Sequence, residues 1–298
     1  MKRTAGLLLI AGCAPTADSA VPAPPANPPR VPELAVSPAA AEIRIVSGRL
    51  MQGGFARGRL SPATANLTLD GKPVPVADDG GFFIAFDRDA AASATLRATG
   101  AGALGFSLPL AIADRDFPEE RLPAIHEKFE SDPAFEARRA DELARIRAAR
   151  AGASKEQGWQ ERFIWPSRGR ISGVFGSQRF FGNDARSPHS GTDIAPGKGA
   201  PVVAPAAGRV VLAPPPEMSL EGNLVIVDHG LGLYSAFLHL DRAAVKVGDL
   251  VKQGDPIGTV GASGRTTGPH LHWGVTWNGV RFDPATLAGP MPDSSLAQ

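Results

Sequence analysis

The sequence predicts a mainly β protein, with a small N-terminal β-sandwich-like domain, a helical connector and a larger β-dominated C-terminal domain. Three observations carry this. The 298 residues include 34 Gly and 28 Pro, a composition of turns and short strands rather than long helices. Apolar residues alternate at period two over 42–112, and from residue 163 onward short apolar runs are punctuated by glycine and turn dipeptides. Only the stretch 134–150 is dense in Ala, Glu, Leu and Arg in the manner of a helix. A hydrophobic fraction of 43% supports a packed core, and the length suffices for two domains.

Taken in order, residues 1–12 read as an export signal of lipoprotein type. Lys2 and Arg3 precede a short apolar run over 5–11, and Ile10-Ala11-Gly12 sets small residues before Cys13. The run is far too short to span a bilayer. The pattern resembles the bacterial lipoprotein signal, which implies cleavage before Cys13, lipidation of its sulfur and anchorage to a membrane surface. Ala14, in place of an acidic residue, implies the outer membrane in a Gram-negative cell. An ordinary secretory signal cut near Ala20 is the alternative. Cys13 is the single cysteine, so no intramolecular disulfide forms. Residues 13–41 read as a Pro/Ala-rich tether, with eight prolines between 15 and 38 and no periodicity to build a core.

Residues 42–115 read as a small β-domain. Ile43 and Ile45, and Leu67 and Leu69, alternate; Asp70-Gly71 marks a hairpin and Asp79-Gly80-Gly81 a second turn before Phe82-Phe83-Ile84-Ala85-Phe86. Thr95, Leu96, Phe106, Leu108 and Leu110 continue the pattern, and an immunoglobulin-like sandwich is expected. It holds no catalytic constellation, so a spacer or substrate-orienting role is expected. Residues 116–160 form the helical connector. Asp132-Pro133 reads as a cap with proline at the first helical position. Phe135, Leu143 and Ile146 make a thin apolar stripe among five arginines and Glu136, Asp141 and Glu142, which predicts a solvated helix; His126 reads as a surface residue. Residues 161–288 form the second β-domain, with strands expected within 201–211, 224–227, 232–240 and 256–260 and turns at Gly182-Asn183, Pro196-Gly197 and Asn278-Gly279. A polar tail, 289–298, follows. A net charge of +1, from 31 basic and 30 acidic residues, sets up no large field and argues against nucleic acid as a partner.

Five of the six histidines lie between 189 and 272. Histidine is the commonest metal ligand and titrates near neutrality, so such a cluster with an acidic partner suits a zinc site. His270 and His272 sit two apart on an expected strand, on one face and about 7 Å apart. That suits one metal ligand and one neighbour poised over a metal's water. His189 and Asp193 would lie about 13 Å apart on a straight strand, but a bend at Gly191 brings them together. Two imidazoles and one carboxylate leave a fourth zinc position open, as catalytic sites require, and the metal lowers the pKa of water and polarises a carbonyl. His239 closes a strand in which Leu233, Ser235 and Phe237 share its face. It reads as a buried structural histidine or, beside the metal, as a base or oxyanion stabiliser. His229, at the end of an apolar strand, reads as structural, as do Asp249, Asp255 and Asp283.

The stretch from about residue 165 to 287 resembles the catalytic domain of lysostaphin-type, LytM-like zinc metallopeptidases. The matching motifs are His-Ser-Gly-Thr-Asp at 189–193, Phe-Leu-His-Leu at 237–240 and Thr-Gly-Pro-His-Leu-His at 267–272, with Gly248-Asp249 to Gly261 also following the pattern. The resemblance implies a two-sheet antiparallel β-structure with a groove over one Zn2+ ion. By it, His189, Asp193 and His272 hold the metal, and His239 and His270 are the catalytic pair. Phe237 stands where relatives often carry tyrosine. The implied reaction is hydrolysis of peptide bonds in the stem-peptide cross-links of peptidoglycan, in the cell envelope. Relatives that have lost their ligands act instead as regulators of amidases, but here the set is complete. A zinc peptidase acting on other exported peptides is a third reading.

Overall fold

The computed structural model describes residues 42–61, 66–100, 105–122, 133–152, 154–181 and 184–292. The signal, Cys13, the tether, His126, Asp132, the Gly182-Asn183 turn and residues 293–298 lie outside these. All described residues belong to one compact unit within Pro38–Gln298.

Seven strands make the N-terminal domain: β1 (Glu42–Arg49), β2 (Phe55–Ser61), β3 (Asn66–Leu69), β4 (Lys72–Val74), β5 (Gly81–Ala85), β6 (Ser93–Thr99) and β7 (Phe106–Ala111). They form two sheets, ordered β1-β2-β5 and β4-β3-β6-β7. This is an immunoglobulin-like order in which the fourth strand pairs with the third rather than the fifth. Asp70 and Gly71 both take positive φ (48° and 79°), the geometry of the tight β3–β4 hairpin. The unbroken apolar run of β5 has its reason in burial on both faces. Phe83, on the opposite face from Phe82 and Ile84, stacks on Phe55 at 5.3 Å and meets Phe282 and Trp277 of the C-terminal domain. The Arg57 guanidinium reaches the same boundary and donates to the carbonyls of Trp159 and Glu161. One apolar core therefore runs through both domains.

The rest of the chain comprises β8 (Glu119–Leu122), α1 (Pro133–Ala149), β9 (Arg170–Gly173), β10 (Gln178–Phe181), β11 (Asp184–Ala185), β12 (Thr192–Ala195), β13 (Pro201–Val203), β14 (Gly208–Leu212), β15 (Asn223–Asp228), β16 (Leu233–Ala243), β17 (Leu250–Val251), β18 (Pro256–Val260), β19 (Leu271–Trp277), β20 (Val280–Phe282) and α2 (Ala285–Ala288). A ten-stranded antiparallel sheet runs β17-β14-β15-β16-β19-β12-β9; β18 joins β16 and carries β13, and β20 edges β19. A second sheet, β11-β10-β8, contains a parallel pair, because β8 comes from the connector.

The connector holds the expected helix, α1, solvated over most of its surface, together with β8, which pairs with β10. One face of α1 nevertheless docks on the sheet. Positions 139, 142, 146 and 149 repeat at helical spacing and face the sheet. Ile146 and Ala149 pack on a second core of Leu212, Met218, Leu224, Ile226, Tyr234 and Ala236, and the Tyr234 hydroxyl donates towards the carbonyls of Arg150 and Gly152. Leu143, expected in the buried stripe, is 37% exposed, whereas Glu142 is 8% exposed. The contact face is half ionic, so hydrophobic periodicity does not reveal it.

His229 is fully buried. Its Nδ1–H donates to Ala207 O (2.7 Å) and its Nε2 accepts from the Ser235 hydroxyl (2.9 Å), which in turn accepts from Trp273 Nε1–H (3.3 Å). Burial pushes its pKa down from 6.5 to about 4 against the opposing Ala207 bond. Below pH 6.5 the unfolded chain therefore takes up a proton that the folded chain refuses, and stability falls as pH drops from 6.5 towards 4. Thermal melting should show a midpoint falling through this window, with a shallower fall in His229→Gln; equal slopes would count against His229 as a source of the effect.

Candidate metal centre

The centre is built on two neighbouring strands. Asp193 of β12 and His272 of β19 are register partners, so their side chains stand side by side on one face of the sheet. His189 arrives from the loop before β12, and the chain turns at Gly191 to bring it back over Asp193. A Cβ at Gly191 would lie 2.5 Å from Trp273 O and 2.7 Å from His272 Nε2; one at Gly173, the β9 partner of Asp193, would lie 2.6 Å from Asp193 Oδ2. The cluster closes only because both positions lack a side chain.

Three donor atoms converge. His189 Nε2 lies 3.1 Å from Asp193 Oδ1 and 3.1 Å from His272 Nδ1, and His272 Nδ1 lies 2.8 Å from Asp193 Oδ1. Tetrahedral zinc with bonds near 2.0–2.1 Å needs ligand separations of about 3.3 Å, so the set fits such an ion after a shift of a few tenths of an ångström. The His189 Nδ1–H donates to Val174 O (3.0 Å), leaving Nε2 as a lone pair for a metal. Burial alone would raise the Asp193 carboxyl, but its contacts with His189 and His272 outweigh it and hold the group well below the ordinary carboxylate range. Burial lowers His272, against the opposing hydrogen bond and charge of Asp193.

The loop carrying His189 rests on the 174–177 turn between β9 and β10, and the N-terminal domain contacts that turn. His189 N–H donates to Ser177 O and its carbonyl accepts from Gly176 N–H, while Arg88 Nε–H donates to Gly176 O at 2.7 Å. Phe117, from the segment before β8, packs edge-on against Phe175 of the 174–177 turn.

His239 and His270 complete the site, with ring centroids 4.9 Å apart. Each has its Nδ1–H on a backbone carbonyl: His239 on Ser263 O (2.9 Å), His270 on Gly268 O (2.9 Å) with Thr266 Oγ1 at 3.1 Å. His270 Nε2 points at the cluster, 3.7 Å from Asp193 Oδ1. Burial, with repulsion from His270 and His272, takes His239 down to about 4 against the Ser263 bond. The chain thus holds two imidazoles with their Nδ1–H groups engaged, leaving each Nε2 to exchange a proton.

The way His239 reaches the site departs from the strand alternation expected of it. The partners of His272 and Trp273 on β16 are Leu238 and Phe237, so alternation would turn His239 with Phe237 into the core. Between Phe237 and Leu240, however, β16 gains one residue relative to β15, where Phe237 faces Val225 and Leu240 faces Asn223. At this bulge His239 adopts φ 62°, in the left-handed region, and its ring enters the site. Such a backbone in a non-glycine residue costs of order 1–3 kcal/mol and persists only where its surroundings hold it. His229 stays outside the centre, as expected. Sequence reasoning missed the carbonyls of Val174, Ser263 and Gly268 and the bulge itself, none of which has a side-chain signal.

The profile of peptidase family M23 matches residues 187–284, a span that holds all five of these side chains. The chain is 41% identical over 106 residues to the peptidoglycan DD-endopeptidase ShyC of Vibrio cholerae, covering 36% of this chain and 24% of that protein. It is 37% identical over 152 residues to ShyA, a peptidoglycan DD-endopeptidase of the same organism, covering 49% and 35%. It therefore spans only about a quarter to a third of the length of these relatives. A Pseudomonas aeruginosa crystal structure provisionally assigned to peptidase M23 superposes with a TM-score of 0.63 at 29% identity, over 80% of this chain and 95% of that one.

Proposed function

We propose that this chain, whose residues 187–284 form a peptidase family M23 domain, is a zinc endopeptidase that hydrolyses peptide bonds in the stem-peptide cross-links of peptidoglycan. One observation carries the reading: three metal-donor atoms within 3.1 Å of one another, with His239 and His270 beside them. A regulator has no need of so complete a set. The similarity to two proteins named peptidoglycan DD-endopeptidases supports the cell wall as substrate.

In this reading His189, Asp193 and His272 hold Zn2+, which supplies Lewis acidity for the scissile carbonyl. One of His239 and His270 accepts a proton at Nε2 from the attacking water. The other, protonated at both ring nitrogens, donates from Nε2 to the oxygen that gains charge or gives that proton to the departing amine. The carbonyl on each Nδ1–H reserves Nε2 for the proton that moves. Cys13, by its signal-like surroundings, would carry lipid and tether the enzyme in the cell envelope.

Purified protein incubated with cross-linked sacculi should convert dimeric muropeptides to monomers, read by mass spectrometry of the soluble fragments, and elemental analysis should find one zinc per chain. Intact dimers after digestion with zinc-loaded protein would overturn the substrate assignment.

A further inference from the structure

We infer that Arg139 on α1 is a positioning residue for His239, acting through Glu221. The inference rests on the peptidase reading above. Its starting point is the strained backbone of His239, which must be held from outside the strand. Two hydrogen bonds do so: His239 Nδ1–H to Ser263 O, and His239 N–H to Glu221 O at 2.9 Å. Glu221 belongs to the 217–222 loop ahead of β15, and its side chain is gripped from the opposite side. Arg139 Nη1 and Nη2 bind Glu221 Oε2 and Oε1 at 2.6 and 2.7 Å, a bidentate pair with both side chains only 16% exposed. Arg139 Nη1 also meets Glu142 Oε2 at 3.1 Å, and Glu142 Oε1 accepts from the backbone N–H and the hydroxyl of Ser219 at 2.6 and 2.7 Å.

The same loop is tied to the segment that supplies the other anchor. Arg265 N–H donates to Leu220 O, Gly264 N–H donates to the Glu217 carboxylate, and Asn223 N–H donates to Ser263 Oγ. Both backbone partners of His239 thus sit in one braced unit, and α1 fastens it through four charge-assisted contacts at positions 139 and 142. A helix meant only to span two domains has no use for a part-buried bidentate pair aimed at a loop. The helix also lies outside the 187–284 family match, so the family profile does not include this brace.

The test compares Arg139→Met, Arg139→Lys, the exchange Arg139→Glu with Glu221→Arg, and Tyr234→Phe. The last removes the hydroxyl that docks the far end of α1 without touching the loop. Wild-type cleavage of sacculi checks the peptidase reading separately. With it in place, Arg139→Met should lower kcat by roughly ten- to a hundredfold, the scale of a small misplacement of a catalytic group, with KM within about twofold and zinc content unchanged. Arg139→Lys and the exchange should each recover part of kcat. Tyr234→Phe should lower the melting temperature and leave kcat near wild type. Wild-type kcat in folded Arg139→Met overturns the inference. So does a loss in Tyr234→Phe equal to that in Arg139→Met, which would make α1 merely structural. Should Arg139→Met fail to fold, the lysine and exchange variants decide by the same ratio of kcat to melting temperature.

Discussion

Asp193→Ala should strip the centre of its metal and abolish hydrolysis of sacculi together. The carboxylate is the one anionic member of the donor set, and the His189 and His272 nitrogens both converge on its Oδ1. Without it two neutral imidazoles face each other 3.1 Å apart, with no charge to offset that of a divalent ion. Changes one shell further out already cost roughly 10- to 100-fold in metal affinity, so loss of a ligand should exceed that. Zinc content after dialysis should fall from one per chain to near zero. Wild-type protein stripped with a chelator should regain activity on zinc addition, whereas the variant should not. A variant that keeps stoichiometric zinc and cleaves sacculi would remove Asp193 from the ligand set.

His270→Ala should behave differently, and the contrast tests the division of labour. The His270 ring lies beside the cluster, with its Nε2 3.7 Å from Asp193 Oδ1, and it is held by Gly268 O and Thr266 rather than by the donor set. Its removal should leave zinc bound. Hydrolysis should drop by roughly 10²- to 10⁴-fold, the usual contribution of a positioned general acid or base. The melting temperature should change little, because the ring is 17% exposed and lies outside the apolar core. Unimpaired hydrolysis, or loss of zinc alongside activity, would refute its assignment to proton transfer.

The N-terminal sandwich and α1 bear on both experiments. Arg88 and Phe117 brace the 174–177 turn to which His189 is hydrogen-bonded, and α1 braces the loop that backs His239. Elements without any catalytic motif thus hold two of the five site residues in place. The N-terminal strands pack on the same apolar core as the C-terminal strands, the extended burial that many short strands need.

Much of this was legible in the chain. Two-residue alternation, the Asp70-Gly71 hairpin and the Asn278-Gly279 turn are local consequences of backbone stereochemistry, and all occur where expected. The meeting of His189 and Asp193 was legible through the bend at Gly191, whereas His272 as their neighbour came from the family resemblance and its place from the β12–β19 register. The docking of α1 was not. Its contact face carries Arg139 and Glu142, and a pair of opposite charges looks solvated until a partner such as Glu221 arrives from 82 residues away. Nor was the route of His239 visible. Its face depends on one residue inserted against β15 and on a φ of 62°, held by two carbonyls from separate loops. Side-chain chemistry and short-range turns are written in residue types, so a histidine cluster with one carboxylate could be read directly, and the family resemblance divided its members. The aim of each imidazole comes from backbone carbonyls and register, which every sequence possesses and only the folded chain brings together.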